Sequence, residues 1–202
     1  AQQLAAQGAE LAFTYLGEGL ERRVRPLAES VGSTLVLPCD VEDESSMDAV
    51  FSDLEKDWDG LDFVVHAIAF SDKEELKGHY LDTTRENFQR TLAASCYSFT
   101  ALARRAQPLM TGGGSLLSLT FSGAQRVMPN YNVMGVAKSA LESATRYLAM
   151  ELGEKNIRVN SISGGPLKTL SSMAVGGFSS ILEWVQEKAP LKRNVTGEDV
   201  GN

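Results

Sequence analysis

A tyrosine and a lysine seven residues apart are the side chains in this sequence best suited to chemistry. They open and close the stretch Tyr131-Asn-Val-Met-Gly-Val-Ala-Lys138, which follows Pro129-Asn130, a turn or helix-start signal. On a helix at about 100° per residue, seven steps fall roughly 20° short of two turns, so both side chains share one face. The phenol can donate to an oxygen that gains charge, and the ammonium can favour the phenolate or bind a sugar hydroxyl.

The alternative interpretation is that Tyr131 packs at an interface and that Lys138 is an ordinary surface charge. Gly135 favours a site, because it lies on nearly the same helix face and its missing side chain leaves room for a ligand. The pair alone is a weak signal, so its meaning depends on the elements that position it.

Those elements alternate between apolar strands and amphipathic helices. The predicted strands cover residues 10–15, 34–38, 61–66, 115–120 and 157–162. The longer predicted helices cover residues 18–30, 44–58, about 88–110 and 131–152. Solidly apolar strands between such helices are typical of a parallel sheet covered on both faces. The predicted fold is therefore α/β, a doubly wound parallel sheet of the Rossmann type, in a single domain over residues 1–202.

The first residues predict an incomplete version of this fold. A Rossmann cofactor site needs a first strand and a glycine-rich turn before the helix that holds the pyrophosphate. Ala1 to Gln7 reads instead as the last two turns of that helix, ended by Gly8. We therefore expect a fragment that lacks the first strand with its glycine-rich loop, and also a C-terminal strand. Because the first strand is central in the usual order, a slot is expected in the middle of the sheet.

Composition argues against several classes of protein. The formal net charge of −7 argues against a nucleic-acid binder. No apolar run approaches the roughly 18–20 residues of a membrane span, and no signal peptide is visible at the start. Cys39 and Cys96 have no metal or redox spacing, which indicates free thiols in a reducing cytosol. We expect a cytoplasmic protein with no metal site and no nucleic-acid or membrane partner.

Polar or aromatic residues follow several predicted strands, where ligands of parallel sheets bind. The residues that fall there are Tyr15, Asp40, His66, Phe121 and Gly164. We interpret His66 as a satisfied strand-end histidine, because a lone histidine without a carboxylate or cysteine partner is rarely catalytic.

The combination resembles the enoyl-[acyl-carrier-protein] reductases of bacterial fatty-acid synthesis, the divergent Tyr-x6-Lys branch of the short-chain dehydrogenase/reductase family. Most of that family carries Tyr-x3-Lys, which Gly135 rules out here. Pro129 to Lys138 is similar to the enoyl reductase motif nearly letter for letter. Shorter blocks at residues 8–15, 39–41, 65–68 and 165–170 match in order, so the resemblance covers essentially the whole chain.

The resemblance implies reduction of the carbon–carbon double bond of a trans-2-enoyl thioester by NAD(P)H, the last reductive step of fatty-acid elongation. Hydride passes from the nicotinamide to C3, and the thioester oxygen becomes an enolate. Tyr131 would donate a hydrogen bond to that oxygen, and Lys138 would hold the hydroxyls of the nicotinamide ribose. One donor aimed at a developing oxyanion is typically worth about 10²–10³ in rate.

The resemblance also assigns residues to the cofactor and the substrate. Asp40 and Val41 match positions that meet the adenine, although a strand-end carboxylate can instead cap the next turn. Small-residue packing is likewise the alternative for Ala67, in a segment that matches the cofactor lining with Ile68 and Ala69. The other implied cofactor contacts are Leu16, Lys138, Pro166, Leu167, Lys168, Thr169, Leu170 and Ser171, of which residues 167–171 match a clamp on the nicotinamide amide. The implied substrate contacts are Ser71, Phe121, Tyr131 and Met134.

Residues 171–188 match a mobile lid over the acyl chain. Gly176 and Gly177 inside this segment favour a hinged lid, and a flexible surface helix is the alternative.

Three positions depart from the family pattern. Phe121 stands where a second tyrosine is usual, so its ring can wall the acyl pocket but cannot donate a hydrogen bond. Ala69 replaces a common glycine and adds bulk beside the cofactor, which predicts weaker binding of diaryl-ether inhibitors that stack on the nicotinamide. After Tyr15 there is neither an acidic residue for a ribose 2′-hydroxyl nor an adjacent arginine for a 2′-phosphate. We lean to NADH, with NADPH as the alternative.

Two other functions stay open: a short-chain reductase acting on a carbonyl, and a non-catalytic dinucleotide-binding relative, which only Phe121 supports. By resemblance the partner is acyl carrier protein, and the assembly is a homotetramer paired through the helices from Phe88 and Tyr131. The carrier protein is acidic and so is this chain, so docking would need a local basic patch. The candidates are Arg104, Arg105, Lys168, Lys192 and Arg193.

Overall fold

The computed structural model describes residues 1–169, 172–174 and 176–202. The chain divides into two compact units, one of residues 1–59 with 197–202 and the other of residues 60–196. A single domain over residues 1–202 stays a prediction. No helix in the described ranges is both long and apolar enough to cross a membrane.

The first unit is built on two parallel strands. Its elements are α1 (Gln2–Ala6), β1 (Ala12–Tyr15), α2 (Glu18–Glu29), β2 (Leu35–Pro38), α3 (Glu44–Asp57) and the C-terminal α8 (Gly197–Gly201). β1 pairs with β2 from Ala12 opposite Leu35 to Tyr15 opposite Pro38. Gly8, with a φ of 86°, follows α1 as predicted, because its backbone adopts the left-handed conformation common after helices.

The helix α3 shows how the apolar pattern sets the packing of this unit. The Asp43 side chain accepts a hydrogen bond from the Ser45 N–H and so starts the helix. Its buried residues are the ones predicted by the i, i+3, i+4, i+7 spacing: Met47, Val50, Phe51 and Leu54.

The second unit contains a three-stranded parallel sheet in the order β3-β4-β5. Its strands are β3 (Phe63–His66), β4 (Gly114–Thr120) and β5 (Ile157–Ser163). Its helices are α4 (Arg85–Leu92), α5 (Ser98–Ala106), α6 (Asn132–Leu152) and α7 (Phe178–Lys188). Parallel strands that alternate with helices in both units confirm the predicted α/β class.

One feature of the second unit was not predicted, namely a π turn at Ala93–Tyr97 between α4 and α5. The three segments together run from residue 85 to residue 106, where sequence indicated one helix from about residue 88. An extra residue in a helical turn leaves no periodic signal, although such turns are frequent at functional sites.

The core of the second unit lies where α5 and α6 pack against one another and α6 packs on β4 and β5. Its fully buried large side chains include Phe99, Leu116, Leu141 and Ile157.

His66, at the end of β3, is buried beside this core with only 1% of its surface exposed. Its Nε2 lies 2.7 Å from the Ser98 hydroxyl, which donates to the Ala94 carbonyl, so Nε2–H donates to Ser98. Nδ1 has no partner among the described residues, so the expected satisfied histidine is satisfied at one nitrogen only. Burial, with a smaller effect of the Lys138 charge, lowers the pKa of His66 to about 4.

Two glycines let the turn at Ser122–Ala124 pack closely against the start of α6. A Cβ on Gly123 would lie 2.6 Å from Cδ1 of Tyr131, and a Cβ on Gly135 would lie 2.9 Å from the Gly123 carbonyl oxygen. The space predicted for a ligand beside Gly135 is therefore occupied by the backbone of Gly123, and that expectation was wrong. The two glycines serve a close backbone approach instead.

The first prediction concerns His66 and acid stability. As pH falls from about 6.5 to about 4, His66 becomes protonated in the unfolded chain but stays neutral in the folded protein. The free energy of unfolding therefore has its full value above this pH window and falls by about 3 kcal/mol within it. Urea unfolding against pH should show this loss in the parent and a smaller loss in His66→Gln. The exposed His79→Gln is the control, and an unchanged profile in His66→Gln would refute the assignment.

The second prediction concerns Gly123. Gly123→Ala should lower the free energy of unfolding by about 1–3 kcal/mol, because its Cβ overlaps the Tyr131 ring and forces a shift. Gly112→Ala is the matched control, since a Cβ there meets nothing within 4 Å. Equal urea midpoints for the two variants would contradict the close packing.

Candidate active site

The carboxyl ends of β3, β4 and β5 lie at one edge of the three-stranded sheet. The register pairs His66 with Ser118 and Thr120 with Ser163, so the segments that follow the three strands all leave the sheet at this edge. Most of the predicted catalytic, cofactor and substrate residues of the second unit belong to these segments or to the start of α6. This is the edge at which ligands of open parallel sheets bind.

Tyr131 is the residue immediately before α6, not its first helical residue. Its carbonyl oxygen accepts the first hydrogen bonds of the helix, from the N–H groups of Met134 at 2.9 Å and Gly135 at 3.3 Å. The flanking Asn130 and Asn132 have φ of 59° and 32°, so the helix starts one residue later than predicted. The face argument from helical periodicity therefore does not apply to Tyr131, because its backbone lies outside the helix.

The Tyr131 ring is enclosed by apolar groups. Phe121 contacts it edge-on, with the ring centroids 5.2 Å apart. The Tyr131 ring also packs on a buried cluster that consists of Leu76, Val133, Met134 and Ala137. Phe88 and Leu92 pack against the same cluster. Burial raises the pKa of Tyr131 to about 12, so the phenol is protonated at neutral pH. Within the described part of the chain its hydroxyl makes no hydrogen bond, which leaves the donor available.

Lys138 is a buried cation two turns into α6, with 7% of its surface exposed. Its Nζ donates to the Leu119 carbonyl oxygen at 2.7 Å, near the carboxyl end of β4. Burial lowers the pKa of Lys138 to about 8, and the Cys96 thiol opposes this shift slightly. The side chain is therefore mostly charged at pH 7, and it has the capacity to donate two further hydrogen bonds.

The two asparagines beside Tyr131 tie the start of α6 to two separate loops. Asn130 Nδ2 donates to the Gly176 carbonyl oxygen at 3.2 Å. Asn132 Nδ2 donates to the Glu75 carbonyl oxygen at 3.1 Å. Sequence analysis did not identify these contacts, although asparagine is one of the few residues that adopt positive φ readily.

The segment after β3 carries the predicted cofactor residues Ala67, Ile68 and Ala69, all exposed or half-buried. Ser71, predicted to contact substrate, is within hydrogen-bond distance of the Asn87 side chain. Met134, also predicted to contact substrate, is 7% exposed and belongs to the apolar cluster under Tyr131. The roles of these residues stay predictions.

The segment after β5 folds into local turns. Thr169, predicted to bind the nicotinamide amide, is engaged with Ser172: its N–H donates to Ser172 Oγ at 2.7 Å, and its hydroxyl accepts from the Ser172 N–H at 3.1 Å. Pro166 and Leu167 are half-buried, and Lys168 is exposed. Leu170 and Ser171 lie outside the described residues, as does Val175 within the predicted lid, residues 171–188. The described part of that segment holds a short helical turn at Ser172–Ala174 and then α7.

The first unit carries three residues predicted to contact a cofactor, of which Asp40 and Val41 are predicted to meet the adenine. Leu16, just after β1, is 52% exposed. Asp40 follows β2, where its Oδ1 accepts from the Glu42 N–H at 2.9 Å, which is the turn-capping alternative left open by the sequence. A role for Asp40 and Val41 in adenine binding stays a prediction.

No group of histidine, cysteine, aspartate and glutamate side chains in the described ranges could hold a metal ion. Neither cysteine is in a disulfide; Cys39 is buried and Cys96 is half-buried. The second unit offers a protonated phenol that has no hydrogen-bond partner among the described residues, and a buried ammonium.

Comparison with known proteins agrees with this chemistry. The family model described as Enoyl-(Acyl carrier protein) reductase matches residues 1–202. "Enoyl-[acyl-carrier-protein] reductase [NADH] 2" of Rhizobium meliloti (strain 1021) is 59% identical over 202 residues, which is 100% of this chain and 75% of the relative.

Solved structures match equally well. The crystal structure of FabI from Candidatus Liberibacter asiaticus superposes with a TM-score of 0.96 at 52% identity, over 99% of this chain and 78% of that one. The enoyl-(acyl-carrier-protein) reductase of Anaplasma phagocytophilum, solved in complex with NAD, gives 0.92 at 53% identity, over 99% and 74%. These matches confirm the predicted Rossmann-type fold. With one family model over its full length and identities above half, the chain belongs to the enoyl-[acyl-carrier-protein] reductase family.

Proposed function

We propose that this chain reduces trans-2-enoyl-acyl-carrier-protein thioesters to acyl thioesters with NADH, the last reductive step of bacterial fatty-acid elongation. The observation that carries the proposal is the Tyr131 hydroxyl, protonated and without a partner among the described residues, at the ligand edge of the sheet. Family membership supports it, and the names of close relatives specify NADH. NADPH is the alternative cofactor.

Tyr131 acts as the hydrogen-bond donor to the thioester oxygen. Its pKa of about 12 keeps the proton on the phenol throughout the neutral range, so the group stabilises negative charge on the oxygen as the double bond is reduced. The Phe121 ring contacts the Tyr131 ring edge-on. An aromatic pair of this kind stabilises a folded protein by about 0.5–1.5 kcal/mol beyond the burial of its surface. Phe121 itself has no hydroxyl, so the donor role falls to Tyr131.

Lys138 holds the cofactor. Lys138 fits a dinucleotide at the carboxyl edge of the three-stranded sheet. Its ammonium donates one hydrogen bond to the Leu119 carbonyl oxygen and retains two donors for ribose hydroxyls. Bound NADH supplies the hydride that reaches C3 of the substrate. Lys138 orients the ribose and contributes positive charge beside the reacting atoms, as long as it stays protonated.

The other assigned contacts follow the resemblance. The cofactor contacts in the second unit are Ala67, Ile68, Ala69, Pro166, Leu167, Lys168, Thr169, Leu170 and Ser171, and those in the first unit are Leu16, Asp40 and Val41. Ser71, Phe121 and Met134 line the acyl chain, and residues 171–188 cover it.

The substrate is delivered by acyl carrier protein. Since both proteins are acidic, docking relies on a local basic patch drawn from Arg104, Arg105, Lys168, Lys192 and Arg193. Lys168 is exposed, whereas the Lys192 Nζ is already bonded to the Glu187 carbonyl oxygen at 2.6 Å, which favours Lys168 over Lys192. The enzyme acts as a homotetramer in the cytoplasm.

The third prediction tests the proposed donor. Tyr131→Phe should lower kcat by about 10² or more while the affinity for NADH is kept, because only the donor to the oxyanion is lost. NADH oxidation is followed with a crotonyl thioester, and both the parent and the variants are made in the full-length protein. Tyr147→Phe is the matched control, since it removes a 77% exposed phenol from α6, the helix that Tyr131 precedes.

Two outcomes of this measurement would overturn the proposal. Parent enzyme that reduces an acetoacetyl thioester but not a crotonyl thioester is a carbonyl reductase. Parent protein that binds NADH and turns over neither thioester, even after Phe121→Tyr, is a non-catalytic relative.

The fourth prediction concerns the charge on Lys138. Because its pKa is about 8, kcat/KM should fall as pH rises through 8, when the ammonium loses its proton. In Lys138→Arg, whose guanidinium keeps its charge, the fall should move above pH 10 or so. Should the arginine variant be inactive, the pH dependence of NADH affinity replaces kcat/KM as the readout. An unchanged fall near pH 8 in Lys138→Arg would refute the role of this cation.

A further inference from the structure

Residues 67–72, which we name the β3 loop, connect β3 to the region before α4. Backbone-to-backbone hydrogen bonds to the described part of the chain are absent from this loop. Its residues are exposed or half-buried. A segment without such bonds takes its shape from other groups that satisfy its peptide N–H and C=O.

Two buried side chains on the helical segment 85–106, Asn87 and Ser95, supply such groups. They belong to a row of buried polar side chains that consists of Asn87, Thr91, Ser95 and Ser98, none more than 7% exposed. Spacings of three and four residues place such side chains along one side of a helix. Asn87 Oδ1 accepts from the Asp72 N–H at 2.8 Å at the end of the loop, and Ser98 accepts from the His66 ring just before the loop begins.

Ser95 lies between these ends and makes two bonds to a single loop residue. Its hydroxyl accepts from the Phe70 N–H at 3.0 Å and donates to the Phe70 carbonyl oxygen at 3.1 Å. A hydroxyl has one proton and two lone pairs, so Ser95 can satisfy both peptide groups of Phe70 at once. Ser95 is fully buried, at 0% exposure.

The same helical segment also holds the Phe70 ring. The Arg90 guanidinium carbon lies 4.1 Å from the centroid of that ring, within the range of a cation–π contact. Ser95 itself is in the π turn at Ala93–Tyr97, where the helix carries an extra residue per turn. The backbone and the ring of Phe70 are thus fixed from one helical segment.

We propose that Ser95 is a positioning residue that sets the conformation of the β3 loop through Phe70. The inference rests on the proposed function, since Ala67, Ala69 and Ser71, which surround Phe70, are the residues assigned there to cofactor and substrate. Ser95 acts on their placement: its hydroxyl bonds to Phe70, and among the described residues it bonds to neither Tyr131 nor Lys138. Its hydroxyl therefore governs the binding of cofactor and thioester more than the chemical step.

The fifth prediction compares Ser95→Ala with Thr145→Val. Ser95→Ala leaves both peptide groups of Phe70 without their partner, so the Kd for NADH and the KM for the enoyl thioester should rise about 10-fold, with a smaller change in kcat. Thr145→Val removes another buried hydroxyl of the same unit, one bonded to Leu141 and Ser161 and not to the loop. It should destabilise the protein and leave Kd and KM unchanged.

The conservative variant and amide exchange separate positioning from packing. Ser95→Thr keeps the hydroxyl and should return Kd and KM toward the parent values. Hydrogen exchange should be faster at the Phe70 and Asp72 amides in Ser95→Ala and unchanged there in Thr145→Val. Unchanged Kd, KM and exchange in Ser95→Ala would overturn the proposal.

Failure of the proposed function has a different signature. In that case the parent does not oxidise NADH with any enoyl thioester. Exchange at the Phe70 amide and the Kd for NADH then still decide whether Ser95 fixes the loop, because neither readout requires turnover.

Discussion

Removal of water from the start of α6 is the constraint on which the rest of the structure depends. A half-buried phenol and a buried ammonium lie there, and desolvation disfavours the charged form of each. The direction of the shift differs between them: burial raises the pKa of Tyr131 to about 12 and lowers the pKa of Lys138 to about 8. Near neutral pH one group is neutral and the other charged, which is the combination needed to donate to an oxyanion and to bind ribose hydroxyls. The apolar cluster under Tyr131 and the edge contact of Phe121 both contribute to this desolvation.

The backbone around this pair is organised by short-range contacts more than by regular structure. Gly123 and Gly135 allow a turn to lie directly against α6, and asparagine amides on both sides of Tyr131 reach the carbonyl oxygens of two other loops. The β3 loop is shaped in the same way, by hydroxyl and amide side chains of one helical segment. The backbone around Tyr131 and the β3 loop are therefore held by residues that were not themselves predicted to contact a ligand.

Much of this architecture could be predicted from the sequence, because apolar strands and periodic helices leave strong patterns. The β-strands fell within the predicted ranges or a residue beyond them, and the buried face of α3 matched its spacing. Family-specific spacing singled out Tyr131 and Lys138, and their roles stay predictions. What escaped prediction was set by backbone details without a periodic signal: the later start of α6, the π turn, and the close approach that fills the space beside Gly135. Ser95 and Asn87 escaped because polar residues inside a helix are ordinarily assigned to its solvent side.

The left-handed backbone on either side of Tyr131 has a consequence for how such a motif evolves. At positions 130 and 132, with φ of 59° and 32°, most side chains carry a steric penalty before any reaction is considered. Glycine, asparagine and aspartate escape it most readily, and of these only asparagine also brings an amide N–H to a neighbouring carbonyl. The two asparagines that flank Tyr131 are thus explained by backbone geometry and need no catalytic role. In the motif Pro-Asn-Tyr-Asn, both asparagines report the shape of the chain, and only the tyrosine reports a possible chemistry.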